Sequence, residues 1–289
     1  MKKLPAGFWM GLRSLYASAW MGVQHDLAWT TPTASLLLNV VPPFASAMTT
    51  SIIYWFGVGG TSSVHFNAAA LAYVLVGSVL YAHVAAYAWV PTVAVAEGKN
   101  LAVFPHVYIT SRSTAFYLSG RALSAFVIST ITTILALAAT YVVLDSFFHT
   151  AIPLMITPAS ALMLAGALLV NIPGALGLGY LLGAYSLYAS KFEWSLPGYV
   201  AGLLMVFSGA LFPPSILPWP ISTAAAALPY TYFISACRDA LIYSLPISYA
   251  RALLYCAAGG VALFFSGLWV YLLAERKARK AGVLDRRLA

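Results

Sequence analysis

Residues 33–56, 67–92, 118–144, 154–188 and 249–273 are apolar over the roughly 20 residues or more that a helix needs to cross a bilayer. A further run, 198–213, starts in the same way and then meets prolines, which makes six expected spans. Lipid must be the main solvent of such a chain. Only 8% of its 289 residues are charged and 62% are hydrophobic, whereas a soluble domain carries about a quarter charged residues. The expected fold is an all-α integral membrane protein, a single transmembrane domain over 1–289. The first 30 residues hold Lys2, Lys3, Arg13, Gln24, His25 and Asp26 among Trp and Leu. They lack the short apolar core and cleavage site of a secretion leader, so none is expected.

Basic residues favour the cytoplasmic side of a membrane. With six spans one side holds Lys2, Lys3, Arg13, Lys99, Arg112, Arg121, Lys191, Arg276, Lys277, Arg279, Lys280, Arg286 and Arg287, and the other only Arg238 and Arg251. Both termini are therefore expected in the cytoplasm of a multi-pass plasma-membrane protein. The net charge of +8 follows from that rule and not from nucleic-acid binding. The tail 274–289 reads as a basic anchor that can contact anionic lipid.

Residues 4–30 precede the first span. Phe8, Leu12, Leu15, Tyr16, Ala19, Val23 and Leu27 recur at helical spacing, which predicts an amphipathic helix in the interface plane. Pro32 can then start the first span. Gly179/Gly183 and Gly198/Gly202 have the spacing that lets membrane helices approach closely, either inside one bundle or between subunits. Cys237 and Cys256 make no disulfide framework and no metal spacing, and read as buried fillers.

The sequence lacks the marks of several chemistries. Asp26, Glu97, Asp145, Glu193, Asp239, Glu275 and Asp285 all fall at span ends or in loops, whereas ion-coupled carriers keep ionisable groups at membrane depth. Only His83 lies well inside a span, where it is expected to bond a neighbouring helix. No cluster of acid, base and nucleophile suits a membrane-embedded enzyme. Gly98-Lys99 lacks the other residues of a phosphate-binding loop. If ATP drives this protein, a second chain must bind it. The largest loop between spans, 97–121, carries Phe104, Val107, Tyr108 and Ile109 among its charges, enough for a short helix with an apolar face. That face can rest on its own bundle or receive a partner.

The stretch 208–242 is apolar yet holds Pro213, Pro214, Pro218, Pro220 and Pro229 before Arg238-Asp239. Irregular backbone at membrane depth is tolerated only where protein or a cavity surrounds it. The fifth span is expected to end near Phe212, with Pro213-Pro214 breaking it. Two short legs, one ending in "ISTAAAALPY" and one running through "TYFISACRDALIYSL", would form an outer re-entrant hairpin over 213–245. Arg238 and Asp239 would sit at its outer mouth, reaching water or each other, as a gate or simply as an anchor at the headgroups.

This stretch carries a resemblance. Ser208-Gly209, Phe212-Pro213, Leu217-Pro218, Leu228-Pro229-Tyr230-Thr231-Tyr232 and Arg238 follow, in order and spacing, a motif of the membrane subunit of type-2 ABC exporters. Glu97 and Gly120-Arg121 match the residues that flank that family's coupling helix, although its Gly-Thr-Leu-Glu core is missing and Pro105 interrupts the region. The resemblance implies a permease dimer, homomeric or heteromeric, over two ATP-binding subunits that hold the ATP and Mg, with no cofactor on this chain. It places ATPase coupling in 97–112, at Glu97, Gly98, Lys99, Phe104, Val107, Tyr108 and Arg112. It places an outer gate at Pro213, Pro218, Pro229, Tyr230, Tyr232, Arg238 and Asp239. Because the first, second and fifth spans surround the family's route, Tyr54, Trp55, Tyr81, Tyr87 and Phe207 become candidate lining residues, or else members of an interfacial aromatic belt. An aromatic, charge-poor interior suits a hydrophobic or amphipathic substrate: a drug, a lipid or a lipid-linked glycan. The competing readings are a stand-alone carrier or channel and a lipid-modifying enzyme.

Overall fold

A computed structural model of the chain describes residues 6–28, 31–57, 67–100, 103–111, 113–148, 152–189 and 194–282. Among the described residues the regular structure is helical, without a strand. The ten α-helices are α1 (Ala6–Ala28), α2 (Pro32–Gly57), α3 (Ala68–Asn100), α4 (Val103–Ser111), α5 (Thr114–Phe148), α6 (Pro158–Tyr188), α7 (Leu196–Phe207), α8 (Ile221–Ala227), α9 (Pro229–Arg238) and α10 (Pro246–Lys280). Five of them, α2, α3, α5, α6 and α10, are long and apolar enough to cross a membrane. At 1.5 Å per residue the 33 residues of α3 and the 35 of α5 and α10 run to about 50 Å. That exceeds the roughly 30 Å of a hydrocarbon core, so each can carry charge on its overhanging turns.

The sixth expected span is shorter than its hydropathy suggested. α7 has 12 residues, about 18 Å, and stops at Phe207 instead of Phe212. The cause is Gly209, whose φ of +70° is the left-handed conformation that closes a helix just beyond its C-cap. Pro213-Pro214 lie past that stop and start a single 3₁₀ turn, Pro214–Ile216. The next break falls at Leu228, which is extended and leads into Pro229 as the first residue of α9. Tyr230 therefore belongs to the second leg and not the first. α9 runs on into a π-helical turn, Asp239–Tyr243, closed by Ser244 in the left-handed region.

Helix packing follows the small residues. α6 and α10 pair most extensively. A Cβ at Gly177 would lie 2.5 Å from the Leu263 carbonyl oxygen, and one at Gly267 2.3 Å from the Gly177 oxygen. α1 runs alongside the first turns of α5, with Gly11 on Phe116, Gly120 on Leu15 and Ser18, and Gly22 on Ser124. The buried face of α1 is Gly11–Ser18–Gly22, whereas Leu12 and Tyr16 of the apolar stripe point outward, Tyr16 at 71% exposure. In lipid, close van der Waals approach drives helix association more than hydrophobicity does, so the small residues win the contact. Gly179 packs on Pro91 and Gly183 on Leu118, while Gly202 has nothing within 4 Å.

Two cores result. One gathers Leu71, Leu75, Tyr87, Tyr230, Phe233 and Ile234 around α9; the other gathers Phe104, Tyr117, Leu118, Leu187 and Tyr271 near α4. The segment 229–242 is thus among the most enclosed of the described segments, with Tyr230, Phe233, Ile234, Ala236 and Cys237 all fully buried.

Candidate functional site

Among the described residues, the buried charges Arg238, Lys99 and Glu275 serve helix ends, Arg238 at the α9 end and the other two near α4. At the α9 end, Arg238 is 4% exposed. Its Nε donates to the Tyr73 carbonyl at 3.2 Å, Nη1 to Gly209 at 2.9 Å and Nη2 to Ala210 at 2.6 Å. Its guanidinium carbon lies 3.4 Å from the centre of the Tyr73 ring. A guanidinium offers five donors in a rigid fork and stays charged, so it can close the frayed end of α7 and tie it to the start of α3. Gly77 makes this possible: a Cβ there would lie 1.9 Å from the Ala210 oxygen and 2.1 Å from Nη2.

That geometry corrects the expectation for Arg238 and Asp239. Neither reaches water, since Asp239 is 5% exposed, and they form no ion pair. Arg238 is drawn inward because the Gly209 and Ala210 carbonyls, past the end of α7, lack helical donors; Asp239 Oδ2 stays buried without a hydrogen-bond partner among the described residues. Of the other residues assigned to the gate, Pro229 and Tyr230 are buried, the Tyr230 hydroxyl donating to the Gly174 carbonyl at 2.7 Å. Tyr232 stacks near Tyr255 at 5.1 Å. Pro213 and Pro218 are exposed.

At the α4 end two further charges close helices. Lys99 Nζ donates to the carbonyls of Ser186 and Ala189 at 2.7 and 2.8 Å, an ammonium on the negative end of α6. Glu275 of α10 does the converse for α5. Its Oε1 accepts from the Thr114 N–H at 2.7 Å and the Thr114 hydroxyl at 2.8 Å, and its Oε2 from Ser113 at 3.0 Å. Glu97 lies 3.5 Å from both Arg121 and His25, joining α3, α5 and α1.

α4 rests on this frame. Phe104 is fully buried against Gly98, where a Cβ would lie 2.4 Å from its ring. Ile109 is 83% exposed. A groove of about 600 Å³ runs between α4 and α1, lined by Met10, Arg13, Met21, His106, Val107 and Ile109 among others. Only the backbone of Tyr108 is described, and Arg112 lies outside the described residues.

The five aromatics assigned to a route do not converge. Tyr87 is fully buried and bonds His83 one turn away, so it is core and not lining. Tyr81 donates to the Ala201 carbonyl at 2.7 Å and borders a cavity between α2, α3 and α5. Tyr54 donates to the Asn67 carbonyl at 3.2 Å. Trp55 is half-buried, and the carbonyl of Phe207 accepts from Thr231 at 3.1 Å. His83 bonds Ser129 of α5 at 2.9 Å. Sequence reasoning missed Tyr73, Gly77, Thr114 and Glu275 as site partners. Glu275 alone carried a signal, as the one carboxylate within a basic helix end.

These features define the chain as an all-helical membrane protein with five helices long enough to cross a bilayer. No protein-family model matches it, and neither does any curated protein.

Proposed function

We propose that the chain is the permease subunit of an ATP-driven exporter of the type-2 ABC kind. The observation that carries this reading is the stretch from Ser208 to Arg238. Its spaced prolines fall at helix breaks, and its final arginine is buried on the carbonyls of Gly209 and Ala210. In this reading α7 and the turn after it make the sixth span, and α8 and α9 form a re-entrant hairpin on the outer side. α4 is the coupling helix, in the cytoplasm with both termini, and the groove beside it receives one of two ATP-binding subunits. A second permease subunit covers the open face of α7 around Gly202, Leu203 and Val206, each exposed. ATP and Mg belong to the partner. The cargo is hydrophobic or amphipathic, and the complex sits in the plasma membrane.

Copurification is the direct test. Affinity capture from native membranes should bring down an ATP-binding chain, and cargo-dependent ATP hydrolysis should require both proteins. Transport by the purified chain alone, driven by an ion gradient, overturns the proposal. Arg238→Ala should weaken export while leaving membrane insertion intact; unchanged export and ATPase rates would dismiss a gating role.

A further inference from the structure

The cavity of about 510 Å³ between α2, α3 and α5 falls within the roughly 300–1,000 Å³ usual for small-ligand sites. Its chemistry is one-sided. Among the described residues the only charged side chain in its lining is the Asp26 carboxylate, at the end of α1, and no lysine or arginine borders it. The neighbouring groups at that end are His25, 3.3 Å from Asp26, with Glu97 and Arg121 beyond it, each 3.5 Å from its partner.

Most of the other polar groups in the lining have acceptors to spare: the Tyr81, Ser129 and Thr132 hydroxyls donate to the carbonyls of Ala201, Phe126 and Ser129 and keep free lone pairs. Thr133 is 4% exposed and borders the cavity, yet forms no hydrogen bond among the described residues. A threonine inside a helix normally bonds back to the preceding turn, as Thr140 does here. Pro42 and Pro43 lie side by side in the wall, inside α2. Because proline has no N–H, the carbonyls of Leu38 and Asn39 lack their usual helical donors, and Asn39 borders the cavity. Asn39 spends its side-chain NH₂ on the Ser35 carbonyl at 3.0 Å, which leaves its oxygen as an acceptor. The α3 wall is mostly apolar, with Ala82, Ala85, Ala86 and Val90 along one face and Trp89 beside them.

We propose that this cavity binds an amphipathic ammonium ion, with its head toward Asp26 and the orphan acceptors and its alkyl chain along the alanine face of α3. An ammonium supplies three donors and no acceptor, which suits a lining with spare acceptors and one negative charge. An anionic occupant would meet the Asp26 charge, and a purely apolar one would leave the free acceptors of the wall without donors. The site lies within one chain and needs no ATPase, so it stands or falls independently of the exporter reading.

The test uses the purified full chain in phosphatidylcholine nanodiscs and three probes with one brominated dodecyl chain: the amine, the alcohol and the carboxylate. Bromine quenches tryptophan on contact, so the part of the quenching that Trp89→Phe removes reports this site. The amine should show a saturable component that Trp89→Phe abolishes, while the alcohol and carboxylate show only linear partitioning. Asp26→Asn should weaken the amine about tenfold, the value of one hydrogen bond to a charged group; Thr133→Val should weaken it a few-fold. Ala86→Phe, which fills the cavity without touching its polar wall, should abolish saturation and serves where Asp26→Asn does not fold. Identical curves for all three head groups overturn the proposal. So do tighter binding of the carboxylate, or an amine curve unchanged by both Asp26→Asn and Ala86→Phe.

Discussion

Replacing Arg238 by alanine removes three charge-assisted hydrogen bonds, of 2.6, 2.9 and 3.2 Å, and the contact with the Tyr73 ring. Bonds to charged groups contribute about 1.5–3 kcal/mol each, so the three together amount to about 4–9 kcal/mol. The whole stability of a typical protein is only about 5–15 kcal/mol. The loss is local first: the turn at 208–210 frays, α7 separates from the start of α3, and α9 loosens. Cys237, fully buried next to Arg238, reports that opening. In a Cys256→Ser background, with the chain in nanodiscs, its maleimide labelling should accelerate at least about a hundredfold, since 1.4 kcal/mol of local opening is tenfold in rate. Arg238→Lys should fall between, because an ammonium can bond some of the carbonyls but cannot fork or stack. Gly77→Ala should reproduce the effect with Arg238 intact, its new methyl group displacing the Ala210 carbonyl and Nη2. A labelling rate for Arg238→Ala equal to that of the parent would refute the assignment of Arg238 as the clamp at this end. A normal rate for Gly77→Ala would refute the packing argument behind it.

Three further perturbations test the other helix ends and the packing seam. Glu275→Ala strands the Thr114 N–H and removes the acceptor of the Thr114 and Ser113 hydroxyls, and should cost about 2–5 kcal/mol by the loss of a buried, hydrogen-bonded charge; a melting temperature within error of the parent would contradict it. Lys99→Met keeps the stem's packing but removes the cation from the end of α6, and should cost about 1–2 kcal/mol, with faster backbone hydrogen exchange confined to the last turn of α6. Exchange that rises uniformly along α6 would show that Lys99 is not a local cap. Gly267→Ala should force α6 and α10 apart, because the added Cβ meets the Gly177 oxygen at 2.3 Å. Thermal unfolding should then fall well below that of Gly202→Ala, where nothing lies within 4 Å.

Much of the architecture was legible because its causes are local. Pro32 stands at the first position of α2, where a missing N–H costs nothing. Pro229 opens α9 for the same reason. Hydropathy over about 20 residues located the long helices, since in lipid each backbone polar group must be satisfied within its own helix. The same reasoning overextended α7, because hydropathy is blind to a single left-handed glycine. On α1 the apolar stripe was legible, but the contact with α5 through Gly11, Ser18 and Gly22 was not, because close packing between helices rewards small residues over apolar ones. Among the candidate site residues, Lys99 and Arg238 were conspicuous as rare charges, yet both were expected at surfaces. Tyr87 was taken for a lining residue because its type fits one, while its bond to His83 makes it part of the core.

Sequence alone therefore determined that the chain is helical, that it is built for lipid, and where proline breaks it. Those properties follow from the energetics of a residue and its near neighbours. Only the tertiary structure decided what the buried charges do. Arg238 meets carbonyls 165, 29 and 28 residues away, and Glu275 meets donors 161 and 162 residues away. A helix end advertises that it lacks partners, but which distant side chain supplies them is settled by how the helices pack, and in this chain that rests on a few glycines.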